Sequence, residues 1–255
     1  MDVIIFMGQS NMQGSTGEKD NSKPIKNCLE YKFLENNFIP LVNPVGEDID
    51  EGLLFASALG NGSLVPFFVK EYSKYKKTDV VAIHVARGGT RIGEWLKGTE
   101  RFEVAIKKIK AGLEKTKESF SLDKVCVVWL QGESDATDFL STDEYEERLI
   151  KLKNDLKSEF DFSKFAIIST GYFTAYVNWV KGTFEEKKKA DEYIMKAQEN
   201  VCKKDNDFVY LTDVCKKLSV KKKYLNPKEN GPHYNNRGMR IIGKKAGKAL
   251  SKIDL

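Results

Sequence analysis

The chain has 255 residues, of which 41% are hydrophobic and 31% charged, and its formal net charge is +5. A chain of this length can bury about three quarters of its extended surface in one core, so we predict a single domain over residues 1–255. No apolar run approaches the roughly 18 residues of a membrane span, and the lysines lie in amphipathic patterns without interleaved aromatic side chains. We therefore expect neither a membrane nor a nucleic acid among its partners.

The four cysteines, Cys28, Cys126, Cys202 and Cys215, lack CxxC spacing and have no histidine near them, which argues against a zinc site. We expect Cys126, inside an apolar run, to be a buried thiol, whereas Cys202 and Cys215 could pair in an oxidising compartment. The first apolar run leads directly into a polar turn, so no signal peptide is predicted. A cytoplasmic location is expected unless the sequence has been trimmed.

Five short apolar runs alternate with helical patterns along the chain, and turn residues bound each run. This alternation is typical of an α/β fold in which a roughly five-stranded parallel sheet is covered by helices on both faces, with functional groups at the carboxyl ends of the strands. The segment from 14 to 50 has no sustained period and is predicted to be irregular. The predicted strands are 3–7, 80–85, 125–130, 165–169 and 208–211, and the predicted helices are 63–75, 101–119, 141–156, 184–202 and 236–253.

The first apolar run breaks into Gly8-Gln9-Ser10-Asn11-Met12, which brings Ser10 to the rim of the predicted sheet. A serine hydroxyl acts as a nucleophile only with a nearby base and a third group that orients the base. The chain has two histidines. His84 lies inside an apolar strand and is predicted to be a core residue, whereas His233 lies in a turn-forming segment before a helix. We therefore predict Ser10 as the nucleophile and His233 as the base.

Acyl transfer also needs hydrogen-bond donors for the negative oxygen of the tetrahedral intermediate. Gly88 and Gly89 follow the second predicted strand, and glycine amides can approach that oxygen without an intervening Cβ. The Ser10 amide is a second predicted donor, and the side-chain amide of Gln131 or Asn11 is a third. The two glycines are equally compatible with a tight turn that has only a structural role.

Four blocks of sequence are spread over the whole chain: Gly8-Gln9-Ser10-Asn11-Met12, Gly88-Gly89-Thr90 with Trp95 beyond it, Gln131-Gly132-Glu133-Ser134-Asp135, and a loop ending in His233. In order and spacing they resemble the motif blocks of the SGNH-type hydrolases. The nearest branch contains the acetylxylan esterases of carbohydrate esterase family six and the sialic acid O-acetylesterases.

The resemblance implies a three-layer, flavodoxin-like fold and a serine esterase that removes acetyl groups from sugar hydroxyls without a metal or other cofactor. By position, it makes Ser10 the nucleophile, His233 the base, and the Gly88-Gly89 turn a source of oxyanion-hole amides together with the Ser10 amide. Many SGNH enzymes carry Asn in the third block. This chain has Gln there, so we favour Gln131 as the side-chain donor.

The loop before His233 departs from the family pattern, because Asn230 stands where the family has Asp three residues before the histidine. A neutral amide carries no negative charge to stabilise an imidazolium. We expect another carboxylate to orient His233 and favour Glu133, with Asp135 in the same loop as the competing candidate. Glu133 could instead only hold the Ser10 turn by accepting backbone N–H bonds.

Sugar recognition usually combines an aromatic platform with charged hydrogen-bonding groups, and Arg87, Arg91, Trp95 and Tyr172 lie beside predicted strand ends. The predicted partner is therefore an acetylated carbohydrate. A short-chain lipase or thioesterase would use the same nucleophile and base, but it would need a wide apolar acyl pocket. A catalytically silent carbohydrate-binding relative is the other alternative, suggested by the missing Asp.

Overall fold

The structure, a computed structural model, describes residues 1–54, 62–228 and 232–255. Within these ranges the centre of the protein is a seven-stranded sheet in which only the β2–β3 pair at one edge is antiparallel. The strands are β1 (Asp2–Gly8), β2 (Cys28–Lys32), β3 (Asn37–Pro40), β4 (Val80–Ala86), β5 (Val125–Leu130), β6 (Lys164–Ile168) and β7 (Phe208–Thr212), and they lie in the order β3-β2-β4-β1-β5-β6-β7.

Helices cover both faces of the sheet and complete a three-layer arrangement. One face packs against α3, α5 and α6, and the other against α2, α7 and α8, each through its own apolar cluster. The α-helices are α1 (Ser10–Gln13), α2 (Val65–Lys76), α3 (Glu100–Ser119), α4 (Glu133–Thr137), α5 (Thr142–Lys157), α6 (Phe184–Lys204), α7 (Val214–Leu218) and α8 (Asn236–Leu250). The predicted α/β, flavodoxin-like class is confirmed.

The sheet reverses its strand order beside β1, which pairs in parallel with both β4 and β5. The strands β4-β1-β5-β6-β7 reproduce the flavodoxin-like order 2-1-3-4-5, in which ligands bind at the carboxyl ends of the strands where the order reverses. Gly8 lies opposite Ala86 on one side and Leu130 on the other. The three segments that follow these residues therefore meet at one point of the sheet edge.

The expectation of an irregular segment between 14 and 50 was wrong, because β2 and β3 lie there. Their sequence gives no clear strand pattern, because β2 has only five residues and its run of apolar side chains is interrupted by Glu30. The buried Glu30 carboxylate accepts hydrogen bonds from Lys32 Nζ at 2.8 Å and from the Gly46 amide at 2.6 Å, which offsets the cost of burying it. This compensation is made in three dimensions and leaves no period in the sequence.

The four cysteines are all free, so Cys202 and Cys215 do not make the disulfide that their sequence left possible, and Cys126 is buried as expected. Burial raises the pKa of the Cys126 thiol. In the part of the chain that the structure describes, no helix is long and apolar enough to cross a bilayer. Nor do the described residues contain a group of three or more His, Cys, Asp or Glu side chains suited to a metal ion.

Candidate active site

Ser10 lies at the end of the central strand, where the chain turns sharply into α1. Gly8 has φ +151°, and a Cβ there would lie 2.0 Å from the Leu130 carbonyl oxygen, so only glycine allows β1 and β5 to approach this closely. Gly14 ends α1 in the left-handed conformation with φ 108°. The short helix α1, between Gly8 and Gly14, thus holds Ser10 at the edge of the sheet where the strand order reverses.

Neighbouring strand ends fix the Ser10 turn from two sides. His84 on β4 donates from Nε2 to the Met12 carbonyl at 3.1 Å, and burial lowers the pKa of His84 to about 3, which keeps the ring neutral. Because a carbonyl can only accept, the proton of the neutral ring is on Nε2. Asn11 donates from Nδ2 to Glu133 Oε1 at 2.8 Å, and Gln13 Oε1 accepts from the Gly88 amide at 2.7 Å. His84 is thus the core residue expected from its sequence context.

The structure brings His233, from the far end of the chain, next to Ser10. Its Nε2 lies 2.8 Å from Ser10 Oγ, which is hydrogen-bond distance between residues 223 positions apart. The His233 carbonyl accepts from the Asn226 amide at 2.7 Å, and the Phe173 ring meets the imidazole edge to face at 5.3 Å. A serine and a histidine in this arrangement can act as a nucleophile and its general base.

Glu133, at the start of α4, is buried under the Ser10 turn and contacts His233 indirectly. Its Oε1 accepts from Asn11, and Asn11 Oδ1 in turn accepts from the Tyr234 amide at 3.4 Å. Among the described residues Glu133 Oε2 is buried without a hydrogen-bond partner, so the direct bond to His233 that we expected is absent between these two residues. Burial raises the pKa of the Glu133 carboxyl, while the Asn11 hydrogen bond and the charge of His233 act to lower it.

Asp135, the competing acid from the sequence, has other hydrogen-bond partners than the imidazole. Asp135 accepts from the Ile92 amide at 3.0 Å and from Gln131 Nε2, and burial raises the pKa of Asp135 to about 6. Its described contacts therefore hold the turn after β4 rather than the imidazole. Asn230, at the position of the family's Asp, lies outside the described residues, as do Glu229 and Gly231.

The expected oxyanion donors differ in whether their N–H groups are available. The Gly88 amide is bonded to Gln13, whereas the amides of Ser10 and Gly89 have no acceptor among the described residues. Gly89 has φ +76°, which suits glycine, and a Cβ there would meet nothing within 4 Å, so its N–H is reachable. Of the two glycines, Gly89 is thus the one whose amide has no acceptor among the described residues.

The prediction that Gln131 is the side-chain donor was wrong. Gln131 is fully buried, and its Nε2 faces three acceptors, Gln9 Oε1 at 3.1 Å, the Thr90 carbonyl at 2.8 Å, and Asp135 Oδ2. No N–H of this amide is left for an incoming oxygen. Asn11, the other candidate, donates one of its two amide N–H groups to Glu133 Oε1, and it is not among the residues that line the cleft beside Ser10.

Gln9 is a functional candidate that sequence reasoning missed, although it precedes the nucleophile. Its Oε1 accepts from Gln131 Nε2 and from the Gly132 and Ser134 amides at 3.1, 3.3 and 3.2 Å. Three donors fix which end of the amide is the oxygen, so Nε2 is the end left for the cleft that Gln9 lines. No acceptor for this Nε2 is found in the described ranges. Its position next to Ser10 was the one available sequence signal.

A cleft of about 480 Å³ opens beside Ser10 and His233. Most of the residues that line it are polar, and Phe173 and Trp179 are its large aromatic members. The residues that line it are Gln9, Ser10, Ser15, Gly88, Gly89, Arg91, Ser134, Thr137, Phe173, Trp179 and His233.

The sequence-predicted sugar contacts are only partly in this cleft. Arg91 lines it, and its guanidinium is paired with the Asp138 carboxylate. Trp95 was wrongly predicted as a platform, because it is fully buried and donates from Nε1 to Thr90 Oγ1 at 3.0 Å. Arg87 and Tyr172 do not line the cleft, and the Tyr172 hydroxyl donates to Glu192 at 2.9 Å.

Comparison with known proteins places these features in context. The sequence profile of the family described as "Carbohydrate esterase, sialic acid-specific acetylesterase" matches residues 1–252. A probable carbohydrate esterase of Arabidopsis thaliana is 26% identical over 187 residues, which are 65% of this chain and 66% of that protein, slightly less than two thirds of its length.

Two solved structures cover nearly the whole chain. An Arabidopsis thaliana protein has a TM-score of 0.69 at 20% identity, with 98% of this chain and 97% of that chain covered. NanS has a TM-score of 0.62 at 14% identity, with 98% and 96% covered. At these identities the two structures establish a shared fold.

Proposed function

Because the chain belongs to the family of sialic acid-specific acetylesterases among the carbohydrate esterases, we propose that it removes O-acetyl groups from carbohydrates, with Ser10 as the nucleophile and His233 as the base. The observation that carries the proposal is the 2.8 Å distance between Ser10 Oγ and His233 Nε2. The same distance argues against a silent binding relative, for which this hydrogen bond has no use.

In the first half of the reaction, Ser10 Oγ attacks the acetyl carbonyl carbon while His233 Nε2 takes the hydroxyl proton. Collapse of the tetrahedral intermediate breaks the bond to the sugar oxygen, which receives the proton from the imidazolium. The sugar leaves with its hydroxyl restored and the acetyl group stays on Ser10. Water then attacks the acyl-serine with His233 again as the base, which releases acetate and regenerates the serine.

The negative oxygen of each tetrahedral intermediate is stabilised by the amides of Ser10 and Gly89 and by Gln9 Nε2. Donors fixed before the reaction act most strongly, because no reorganisation is needed as the charge develops. Gln9 meets this condition through the three hydrogen bonds that hold its oxygen.

Glu133 supports the base as a buried negative charge and through the Asn11 bridge to the backbone beside His233. A nearby carboxylate favours the imidazolium that forms when Ser10 gives up its proton. We propose this role for Glu133 in place of a direct hydrogen bond to the ring.

The lining of the cleft favours a short acyl group on a hydroxylated substrate. Side chains of Gln9, Ser15, Arg91, Ser134 and Thr137 supply polar groups, so a long alkyl chain would leave them without hydrogen-bond partners. Acetyl esters should therefore be preferred to longer ones, in contrast to a lipase or thioesterase.

The proposal is tested by measuring acetate release from acetylated xylan, acetylated sialic acid and p-nitrophenyl acetate by the wild type and by Ser10→Ala. The wild type should release acetate from at least one carbohydrate, with rates that fall from acetyl to butyryl esters, and Ser10→Ala should be nearly inactive. Equal activity in Ser10→Ala, or rates that rise with acyl length, would overturn the proposal.

A further inference from the structure

A chain of surface depressions leads away from the Ser10 cleft towards α6. The cleft shares Arg91 and Trp179 with a neighbouring depression of about 330 Å³. That depression shares Phe139 and Lys181 with a third one of about 490 Å³, which extends to Tyr193 on α6. We call the second and third depressions together the trough, with Trp179 at its entrance and Phe139 and Tyr193 along it.

Exposed aromatic rings mark the trough along its length. The exposed fraction is 63% for Trp179, 44% for Phe139 and 36% for Tyr193. Exposing large aromatic side chains to water costs free energy. A row of such side chains beside a cleft is therefore typical of a binding surface. Phe139 also has φ +59°, a left-handed conformation that is uncommon for a bulky residue. The backbone at Phe139 therefore adopts an unfavourable conformation at the position where its ring lies beside the trough.

The trough connects to the catalytic groups through ring contacts. Trp179 meets Phe173 edge to face at 6.1 Å, and Phe173 meets the His233 imidazole at 5.3 Å. One aromatic ring thus separates the base from the first platform of the trough. Phe139 and Tyr193 do not line the cleft, so a molecule whose ester lies against Ser10 contacts them only if it continues from the cleft into the trough.

The groups between the rings are charged, which defines the chemistry of the occupant. Arg91 and Asp138 form an ion pair at the wall, and Lys181 has no ion pair with any other described residue. An alkyl chain would take these charges out of water without hydrogen bonds. A sugar chain presents apolar C–H faces to the rings and hydroxyl groups to the charges.

We propose that the trough binds the sugars that continue from the acetylated one, so that the substrate is an acetylated oligosaccharide rather than a free monosaccharide. This inference rests on the proposed esterase function. Trp179 holds the sugar next to the acetylated one, and Phe139 and Tyr193 hold those further along the chain.

The test compares kcat/KM on p-nitrophenyl acetate, an acetylated monosaccharide and acetylated xylo-oligosaccharides of increasing length. Phe139→Ala and Tyr193→Ala are the test variants. Tyr75→Ala is the matched control, because Tyr75 is an aromatic residue with 46% exposure on α2, away from the trough. Binding of the same oligosaccharides to Ser10→Ala, with and without Phe139→Ala, gives Kd without turnover.

In the wild type, kcat/KM should rise with oligosaccharide length. Each trough variant should lower the ratio of oligosaccharide to p-nitrophenyl acetate kcat/KM by roughly 3- to 10-fold, the range expected for the loss of one aromatic contact. Kd on the Ser10→Ala background should weaken by a similar factor, and Tyr75→Ala should leave the ratio unchanged.

Failure of the trough proposal is separable from failure of the esterase proposal. If p-nitrophenyl acetate hydrolysis depends on Ser10 but oligosaccharides show no length effect, the esterase stands and the trough proposal is overturned. The same holds if trough variants and Tyr75→Ala change the ratio equally. Activity that does not depend on Ser10 overturns both.

Discussion

Ser10 and His233, the proposed nucleophile and base, are held in contrasting ways. The turn around Ser10 is built into the centre of the sheet, with hydrogen bonds to β4, to the glycine turn after it and to the loop after β5. His233 comes from the opposite end of the sequence, and its contacts include Ser10 itself, the Asn226 amide and the Phe173 ring. The sheet thus fixes the position of Ser10, whereas His233 packs against the Ser10 turn from outside the sheet. Asn11 bridges the two regions through its hydrogen bonds to Glu133 and to the Tyr234 amide.

Removal of the His233 side chain should have the largest effect on kcat. We expect His233→Ala to lower kcat by about 10⁴- to 10⁶-fold, because the serine then has no base, and only binding and oxyanion stabilisation remain. The measurement is kcat on p-nitrophenyl acetate, with circular dichroism as the check on folding. The double variant Ser10→Ala/His233→Ala should lose little more than either single variant, since the pair acts as a unit. Losses that multiply would show that the two residues act independently.

The bridge between the two regions can be tested at Glu133. Glu133→Gln retains an acceptor for Asn11 but removes the charge, and we expect kcat to fall by about 10²- to 10⁴-fold with the fold intact. Asn230→Ala should retain activity.

If Glu133 does not support His233, the variants at positions 133 and 230 should show the opposite order of activity. If Glu133→Gln is nearly as active as the wild type and Asn230→Ala is not, Glu133 is not the acid that supports His233. A rise of orders of magnitude in Asn230→Asp would instead mean that the natural chain lacks an effective orienting acid.

The sheet side of the comparison can be altered at Gln9 without loss of its anchoring oxygen. Gln9→Glu keeps an acceptor for the three N–H groups but replaces the amino group that we assign to the oxyanion hole. We expect kcat to fall by about 10²- to 10³-fold, the usual effect of losing one such donor. KM should change little, because the donor acts on charge that develops in the transition state. Wild-type kcat in this variant would remove Gln9 from the mechanism.

The smallest effect is a pH dependence of stability from His84. Its folded pKa of about 3 lies below the ordinary value of 6.5, so on acidification the unfolded chain binds this proton first. Stability from this group is complete above about pH 6.5 and decreases as the pH falls towards 3.

The contribution should decrease by about 2 kcal/mol between pH 7 and pH 5. The measurement is the free energy of unfolding in urea for the wild type and for His84→Gln, which keeps an N–H for the Met12 carbonyl. The difference between the two proteins should shift by this amount over that range. A difference that is constant with pH would mean that the pKa of His84 is the same in the folded and the unfolded protein.

The parts of the fold that were predictable from the sequence are those whose signals are local. The five parallel strands are continuous apolar runs, because a parallel sheet is buried on both faces, and their bounds agree with the structure to within one residue at each end. The strands β2 and β3 were missed because Glu30 becomes acceptable in a strand only through Lys32 and Gly46.

In the candidate site, too, some features have local sequence signals and others depend on contacts between distant segments. That Ser10 and His233 meet was predictable, because a glycine-bounded strand end and a turn-rich loop are visible in the sequence. Which of Gln9, Asn11 and Gln131 presents a free N–H depends on hydrogen bonds between strand ends, and no local pattern encodes those. Trp95 was misassigned for the same reason, since a tryptophan after a strand can face either the core or the cleft.

The hydrogen bonds that fix the Ser10 turn join residues 72 to 122 positions apart, and the bond to His233 spans 223. Contacts of such sequence separation form late, because long stretches of chain must be closed before they contribute. During refolding from denaturant, helical structure should therefore return before esterase activity does. Enzymatic turnover would then be a selective probe of the last stage of folding, when β1, β4 and β5 have reached their final alignment and the carboxyl-terminal segment has closed over them.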